Sequence, residues 1–287
     1  MKRNLLARIE ERMPAFSKGQ KLISHYILEH YDKAAYMTAA KLGAVVNVSE
    51  STVVRFAIEL GFSGYPEFRL ELMELVRTRL TSSRRMEVTN NLIGDGDVLS
   101  KVLLSDMDRI RRTLDEIDRD AFAAAVSHIV SAKNIYIMGV RSSASLAGFL
   151  NYNLRMIFDN VRFVQTTSGS ELFEQIMSIG PGDVMIAISF PRYSKRIIHA
   201  VDFARHAGAD VIALTDSAMS PIAAHAAQVL LAKSDMASFA DSLSAPLSII
   251  NAMVVAVSMK KQEELTVRLR QLEQIWDEYD VYDKTQG

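Results

Sequence analysis

The chain has 287 residues, 49% apolar and 23% charged, enough for one large domain or two ordinary ones, which excludes disorder and low-complexity fibre. It contains no cysteine, so a disulfide scaffold, a cysteine-based zinc finger and a thiol nucleophile are ruled out together. The net charge of −1 hides an asymmetry: residues 1–85 carry 14 basic and 9 acidic side chains, joining a front portion suited to a polyanion to an acidic remainder.

The six histidines do not cluster at metal-ligand spacing. His25 and His30 are five apart, on different faces of a helix, so no metal and no cofactor is expected. Arg, Glu and Pro interrupt the apolar run in MKRNLLARIEERMP, and no stretch of about 20 apolar residues follows anywhere. The expectation is a soluble, cytoplasmic protein with no membrane segment.

From Leu5 to about Arg79 apolar residues recur three or four apart, as in Leu22, Ile23, Tyr26, Ile27 and in Phe68, Leu72, Leu75, which predicts helices throughout. The most informative stretch is 38–60, TAAKLGAVVNVSESTVVRFAIEL. Two crossing helices need a tiny residue at their contact, and Gly43 supplies it. Asn47 tolerates the left-handed geometry that the turn demands. Ser49 is an N-cap for a helix over 50–60, bonding the amide of Ser51 or Thr52, and Gly61 ends it. Val53, Phe56, Ala57 and Leu60 form an inward stripe, leaving Glu50, Ser51, Thr52 and Arg55 outward near the end that approaches base edges in a helix-turn-helix. Hydroxyls can bond bases or phosphate, and Arg55 can grip guanine or phosphate. The same spacing also suits a plain helical hairpin with a solvated face.

Residues 81–97, TSSRRMEVTNNLIGDGD, turn to Gly, Asn, Ser and Asp and predict a linker between domains at 1–80 and 98–287. Amphipathic stretches follow at 99–117 and 119–131. Short apolar runs at 135–138, 161–164, 184–188, 211–214 and 229–232, mostly alternating with helical segments, then predict βαβ units. Helix 197–207 is expected to end at Gly208, and Ser220-Pro221 offers a cap followed by proline at the first helical position. Two helices, about 240–260 and 262–280, close the chain. The fold expected is an all-α helix-turn-helix domain followed by a three-layer α/β domain on a parallel, flavodoxin-like or Rossmann-like sheet.

Two of the predicted strands run into loops of similar chemistry. The first gives Gly139-Val140-Arg141-Ser142-Ser143-Ala144-Ser145, the other Ser189-Phe190-Pro191-Arg192-Tyr193-Ser194, each before a helix. Hydroxyls and amides gathered at helix N-termini beyond strand ends suit an anion, phosphate above all, and Arg141 and Arg192 add charge-assisted donors. Serine also stands at such places simply as a helix cap.

With these two constellations in place, the chain resembles the RpiR family of bacterial transcriptional regulators, in which a DNA-binding module precedes a SIS (sugar isomerase) domain. LGAVVNVSESTVVRFAIELGFSGYPEFR carries the resemblance in the first part; Gly139, Ser143, Ser189, Ser194, the strand VIALT and SPIA carry it in the second. The resemblance implies operator binding by Ser49, Ser51, Thr52 and Arg55, and phosphosugar binding by Ser143, Ser189 and Ser194 with neighbouring loop residues. Three positions depart from the family pattern: Arg141 replaces a glycine, Pro191-Arg192 replaces Ser-Gly, and Arg196 replaces an acid. The three guanidinium groups suggest a ligand more acidic than a hexose phosphate, or one whose phosphate is gripped by side chains instead of bare backbone; alternatively, Arg141 and Arg192 fill the pocket or pair with acids across a dimer.

The function expected is a regulator of carbohydrate metabolism that binds palindromic double-stranded operator DNA as a dimer or tetramer and responds to a phosphorylated sugar. SIS-type domains typically pair through C-terminal helices, here carrying Ile249, Ile250, Met253, Val254 and Val257. The alternative is a phosphosugar isomerase with an appended helical domain, which needs a general base such as Glu171, Glu174 or His225. None of the three stands in a catalytic motif, and no catalytic residue is assigned.

Overall fold

A computed structural model of the chain describes residues 5–79, 85–86, 96–166, 168–235 and 240–282. The chain divides into two compact units, Met1–Gly96 with Met236–Asp241, and Asp97–Asp235 with Ser242–Gly287. Most of the expected 81–97 linker lies outside the described residues.

The first unit is helical: α1 (Leu5–Arg12), α2 (Lys18–Ala34), α3 (Ala39–Val45), α4 (Glu50–Glu59) and α5 (Tyr65–Arg79). Caps set the starts. The Ser17 hydroxyl accepts the Gln20 amide while Gln20 returns a bond to the Ser17 amide at 2.9 Å, and Thr38 caps α3 through the Lys41 amide. Ile23, Ile27, Leu42, Val53, Phe56, Phe68 and Leu72 close a single core, in which Phe16 and Phe68 meet Phe56 edge-on at 5.2 and 5.6 Å. The Tyr65 hydroxyl donates to the Met37 carbonyl at 3.0 Å. Burial pushes its pKa up to about 12, so it stays a donor at any physiological pH.

The second unit opens with α6 (Val98–Glu116) and α7 (Arg119–Ser131), then alternates β1 (Ile135–Gly139), α8 (Ser143–Ile157), β2 (Val161–Val164), α9 (Gly169–Ile176), β3 (Val184–Ile188), α10 (Lys195–His206), β4 (Asp210–Thr215) and β5 (Gln228–Leu231), and ends with α11 (Ser244–Lys260) and α12 (Gln262–Glu278). The five strands are parallel in the order β2-β1-β3-β4-β5. β1 and β3 are buried along their whole length, which explains why they read as unbroken apolar runs. One core lies on the face covered by α7, α8 and α11, the other on the face covered by α9 and α10. This is the three-layer arrangement expected.

Two expectations need correction. Ser220 does not cap a helix: the chain turns at Ser217–Ser220, makes a short 3₁₀ turn at Ala223–His225, and leaves the Ser220 hydroxyl buried without a hydrogen-bond partner among the described residues. Nor are Ile249, Ile250, Met253 and Val257 of α11 available for pairing: they are buried in the core of their own unit, and the large apolar side chains that this helix leaves exposed are Val255 and Met259. A helix apolar on most sides is spent against the sheet.

Candidate functional sites

In the first unit the geometry begins at Gly43. A Cβ there would lie 2.7 Å from the Val48 carbonyl oxygen, and Val48 donates its amide to the Gly43 carbonyl at 2.9 Å. Only glycine lets α3 approach the following turn so closely. Asn47 holds φ +57, the left-handed turn residue foreseen. Ser49 then caps α4 through the Thr52 amide at 3.3 Å, and its hydroxyl lies 2.9 Å from that of Ser51 and 2.8 Å from that of Thr52. Ser49, Ser51 and Arg55 are exposed; Thr52 is half-buried, its methyl set against Gly19 of α2. Arg55 donates Nε to the Ser51 carbonyl at 3.3 Å, which aligns the guanidinium along the exposed face and leaves its end groups without a partner among the described residues. Hydroxyls and a cation therefore share one end of α4, presented on a helix whose other face is rigidly packed.

In the second unit the sheet order fixes where a ligand can enter. β1 leads leftward to β2 through α8 on one face, and β3 leads rightward to β4 through α10 on the other. The two connections part between β1 and β3, whose ends are in register at Gly139 and Ile188. A crevice outside that point is the standard ligand position in such sheets. Both serine- and arginine-bearing loops open onto it.

Gly139 ends β1 because nothing larger fits: a Cβ would meet the Ser143 carbonyl oxygen at 2.4 Å. The next loop residues form turns in which the Ala144 amide reaches Arg141 and the Ser145 amide reaches Ser142. The amides of Arg141, Ser142 and Ser143 and the hydroxyls of Ser142 and Ser143 have no partner among the described residues. Ser142 precedes α8 with no side-chain cap bond, so neither loop serine is consumed as a helix cap. Arg141 is exposed, and its guanidinium has no partner among the described residues.

In the second loop Ser189 is buried and continues the ladder by donating its amide to Leu214, which leaves its hydroxyl without a partner among the described residues. Ser194 caps α10 by accepting the Arg196 amide at 3.3 Å. The caps-only explanation thus holds for Ser194 and fails for Ser143 and Ser189. Arg141 and Arg192 both stand in left-handed conformation, φ +58 and +64, where a side chain costs about 1–2 kcal/mol. That geometry is why glycine suits these positions.

Sequence reasoning missed one member of this end of the sheet. The Tyr193 hydroxyl donates to both Asp216 carboxylate oxygens, at 2.9 and 3.1 Å, and the Thr215 hydroxyl donates to the same carboxylate at 3.1 Å. Asp216 thereby ties the loop after β3 to the end of β4. The polar Thr-Asp pair closing VIALTD was the signal available.

Glu171 is exposed on α9 and accepts a bond from Thr166. Glu174 is exposed on the same helix. His225 lies 3.4 Å from Asp202, two turns into α10 and away from the loop. No group of three or more metal-binding side chains occurs among the described residues, and none of their helices is long and apolar enough to cross a membrane.

Residues 3–78 match the helix-turn-helix domain of the rpiR family, and residues 128–256 match the SIS domain. The transcriptional regulator HexR of Escherichia coli is 29% identical over 231 residues, covering 78% of this chain and 75% of its own length. Vibrio vulnificus NanR, whose solved structure holds ManNAc-6P, superposes with a TM-score of 0.60 at 24% identity, over 96% of this chain and 99% of that one. The sugar isomerase domain of the RpiR transcription factor from Sphaerobacter thermophilus superposes with a TM-score of 0.58 at 27% identity, over 61% of this chain and 97% of that one. With a helix-turn-helix in the first unit, a β1/β3 crevice in the second and family matches in both, the chain belongs to the rpiR family of helix-turn-helix transcriptional regulators.

Proposed function

We propose that this protein controls genes of carbohydrate metabolism from the cytoplasm, binding palindromic operator DNA through Ser49, Ser51, Thr52 and Arg55 and sensing a phosphorylated sugar or related anion through Gly139, Arg141, Ser142, Ser143, Ser189, Arg192 and Ser194. One observation carries the sensing half. Among the described residues, amides and hydroxyls of the first loop and the Ser189 hydroxyl of the second stand without a partner beside the crevice between β1 and β3, and phosphate is the ligand that consumes such donors. The ManNAc-6P bound by NanR is of this class. The guanidinium of Arg141, held outward in a costly conformation, favours a sugar phosphate with a second acidic group.

A single helix-turn-helix reads few bases, so two heads on a homo-oligomer would address half-sites about 34 Å apart or a multiple of that. To change operator affinity tenfold the effector needs about 1.4 kcal/mol of differential binding, within the ordinary range of allosteric coupling.

The test selects bound duplexes from a random pool with the full chain, then titrates the complex with a panel of neutral and acidic sugar phosphates. A palindromic site and release or tightening by one class is expected. Ser189→Ala combined with Ser194→Ala should leave operator binding intact and abolish the response. If that variant responds like the parent, the ligand lies elsewhere. If no duplex is enriched, the regulator assignment fails.

A further inference from the structure

The C-terminal end of α4 is completed by side chains from far away in the sequence. A helix leaves its last four carbonyls without a partner inside itself, here those of Ala57, Ile58, Glu59 and Leu60. The turn that follows takes two of them: Phe62 donates its amide to Ala57 at 3.2 Å and Gly61 donates to Ile58 at 2.8 Å, with Gly61 at φ +88. Helix α1 takes the other two. Arg8 and Arg12 stand four apart in LLARIEER, so they leave the same side of α1, next to the buried Leu5 and Ile9. Arg8 donates to the Leu60 carbonyl, with its guanidinium 4.9 Å from the centre of the Phe62 ring, and Arg12 donates to the Glu59 carbonyl. From α2, the buried Gln20 donates its side-chain amide to the Glu59 carboxylate. Each carbonyl that α4 leaves over thus has a donor, and two cations stand at the negative end of its dipole.

We propose that Arg8 and Arg12 are positioning residues for operator recognition: by gripping the last two carbonyls of α4 they set the angle at which Ser51, Thr52 and Arg55 meet the DNA. The proposal rests on α4 being the reading helix, as given above. With ten residues α4 is about 15 Å long, so a shift at its C-terminal end swings the groups near its start. Val53, Phe56 and Ala57 pin its inner side, but apolar packing is non-directional. The directional bonds lie at the two ends, from Ser49 at the start and from the two arginines at the finish. Glu59 is exposed, where water serves a carbonyl about as well, so the bond from Arg12 contributes direction more than stability. A guanidinium suits this task because it stays charged and holds its donors in a fixed plane. Positioning also fits better than direct DNA contact. Arg8 is half-buried and laid on Phe62, and both guanidinium groups are turned to carbonyls of the protein.

The test uses the full chain with Arg8→Met and Arg12→Met, singly and together, which keep an apolar stem and remove the donors. Without DNA, hydrogen exchange should quicken at the amides of Leu60, Gly61 and Phe62, which close the end of α4. With DNA, affinity for the duplex enriched from the random pool should fall about tenfold for each arginine. Affinity for a random duplex should stay within about twofold and keep its salt slope, because phosphate contacts alone carry it. Arg12→Lys, which keeps a donor of similar reach, should recover most of the specific affinity. Random-duplex affinity that falls, with a salt slope lower by about one per arginine, would make these residues phosphate contacts and overturn the proposal. Unchanged specific affinity beside a lowered melt would make the bonds purely structural and overturn it too. Should the double variant not fold, Arg12→Met alone, at an exposed position, decides by the same two measurements. Arg55→Ala separates the two failures. If it weakens operator binding and the methionine variants do not, the reading helix stands and the positioning role falls; if neither has an effect, both fall.

Discussion

Gly139 and Ser143 approach so closely that a Cβ on the glycine would lie 2.4 Å from the Ser143 carbonyl oxygen and 2.8 Å from its carbon. The first turn of α8 is therefore pressed against the end of β1, which is what points its leading amide, that of Ser143, at the crevice. Gly139→Ala should displace that turn at a cost of about 1–3 kcal/mol. Sugar phosphate affinity should fall tenfold or more in calorimetry, while DNA binding without effector stays at the parent level.

Arg141 and Arg192 spend conformational energy on their left-handed backbones. Arg141→Gly should raise thermal stability by up to about 1 kcal/mol, since relief of the backbone outweighs the added chain entropy of glycine. Affinity for an acidic sugar phosphate should drop, and that for a neutral one should change little. Arg192→Gly separates the two readings of its loop: weaker binding makes the arginine a ligand contact, and tighter binding makes it an occupant of the site.

Arg55→Ala should weaken operator binding by about 1–3 kcal/mol and relax specificity at one position if the guanidinium meets a base edge. Contact with phosphate alone would lower affinity evenly across sequences and reduce the salt slope by about one. Thr52→Ala should cost less, because its hydroxyl already bonds Ser49 and its methyl packs on α2.

Local chemistry made much of this legible in the sequence. The tight crossing at Gly43 and the left-handed Asn47 are demands of two or three residues on their neighbours, and they write themselves into residue choice. Strands buried on both faces likewise show as plain apolar runs. What failed to show was direction. The apolar residues of α11 and of α6 have similar composition, yet Ile250 and Met253 face the sheet while Leu103 and Met107 face out, because the bonds of Asp106 to Ser242 and Ser244 join residues more than 130 positions apart. The Tyr193–Asp216 contact was hidden for the same reason, and Ser220 carried a cap signal that no helix used.

The Asp106 cluster gives the domain a defined acid response. Burial alone would raise this carboxyl, but the Ser242 and Ser244 hydroxyls and the Arg109 guanidinium together hold it below its ordinary value of 3.8. A depressed folded-state pKa contributes stability that is present above 3.8 and is lost as the pH falls through and below it. Acid titration of the melting temperature should therefore steepen below about pH 4 in the parent. Asp106→Asn should flatten that portion of the curve and lower stability at neutral pH.

The polar attachment of α6 also ranks the helices of the second unit by how readily they open. A hydrogen bond surrendered to water forfeits only about 0.5–1.5 kcal/mol net, whereas α8 and α11 must expose several wholly buried aliphatic side chains to come away from the sheet. Helix α6 is accordingly the first of these three to exchange its amide protons for deuterium. The helix that opens the second unit is thus the one most lightly fastened to it.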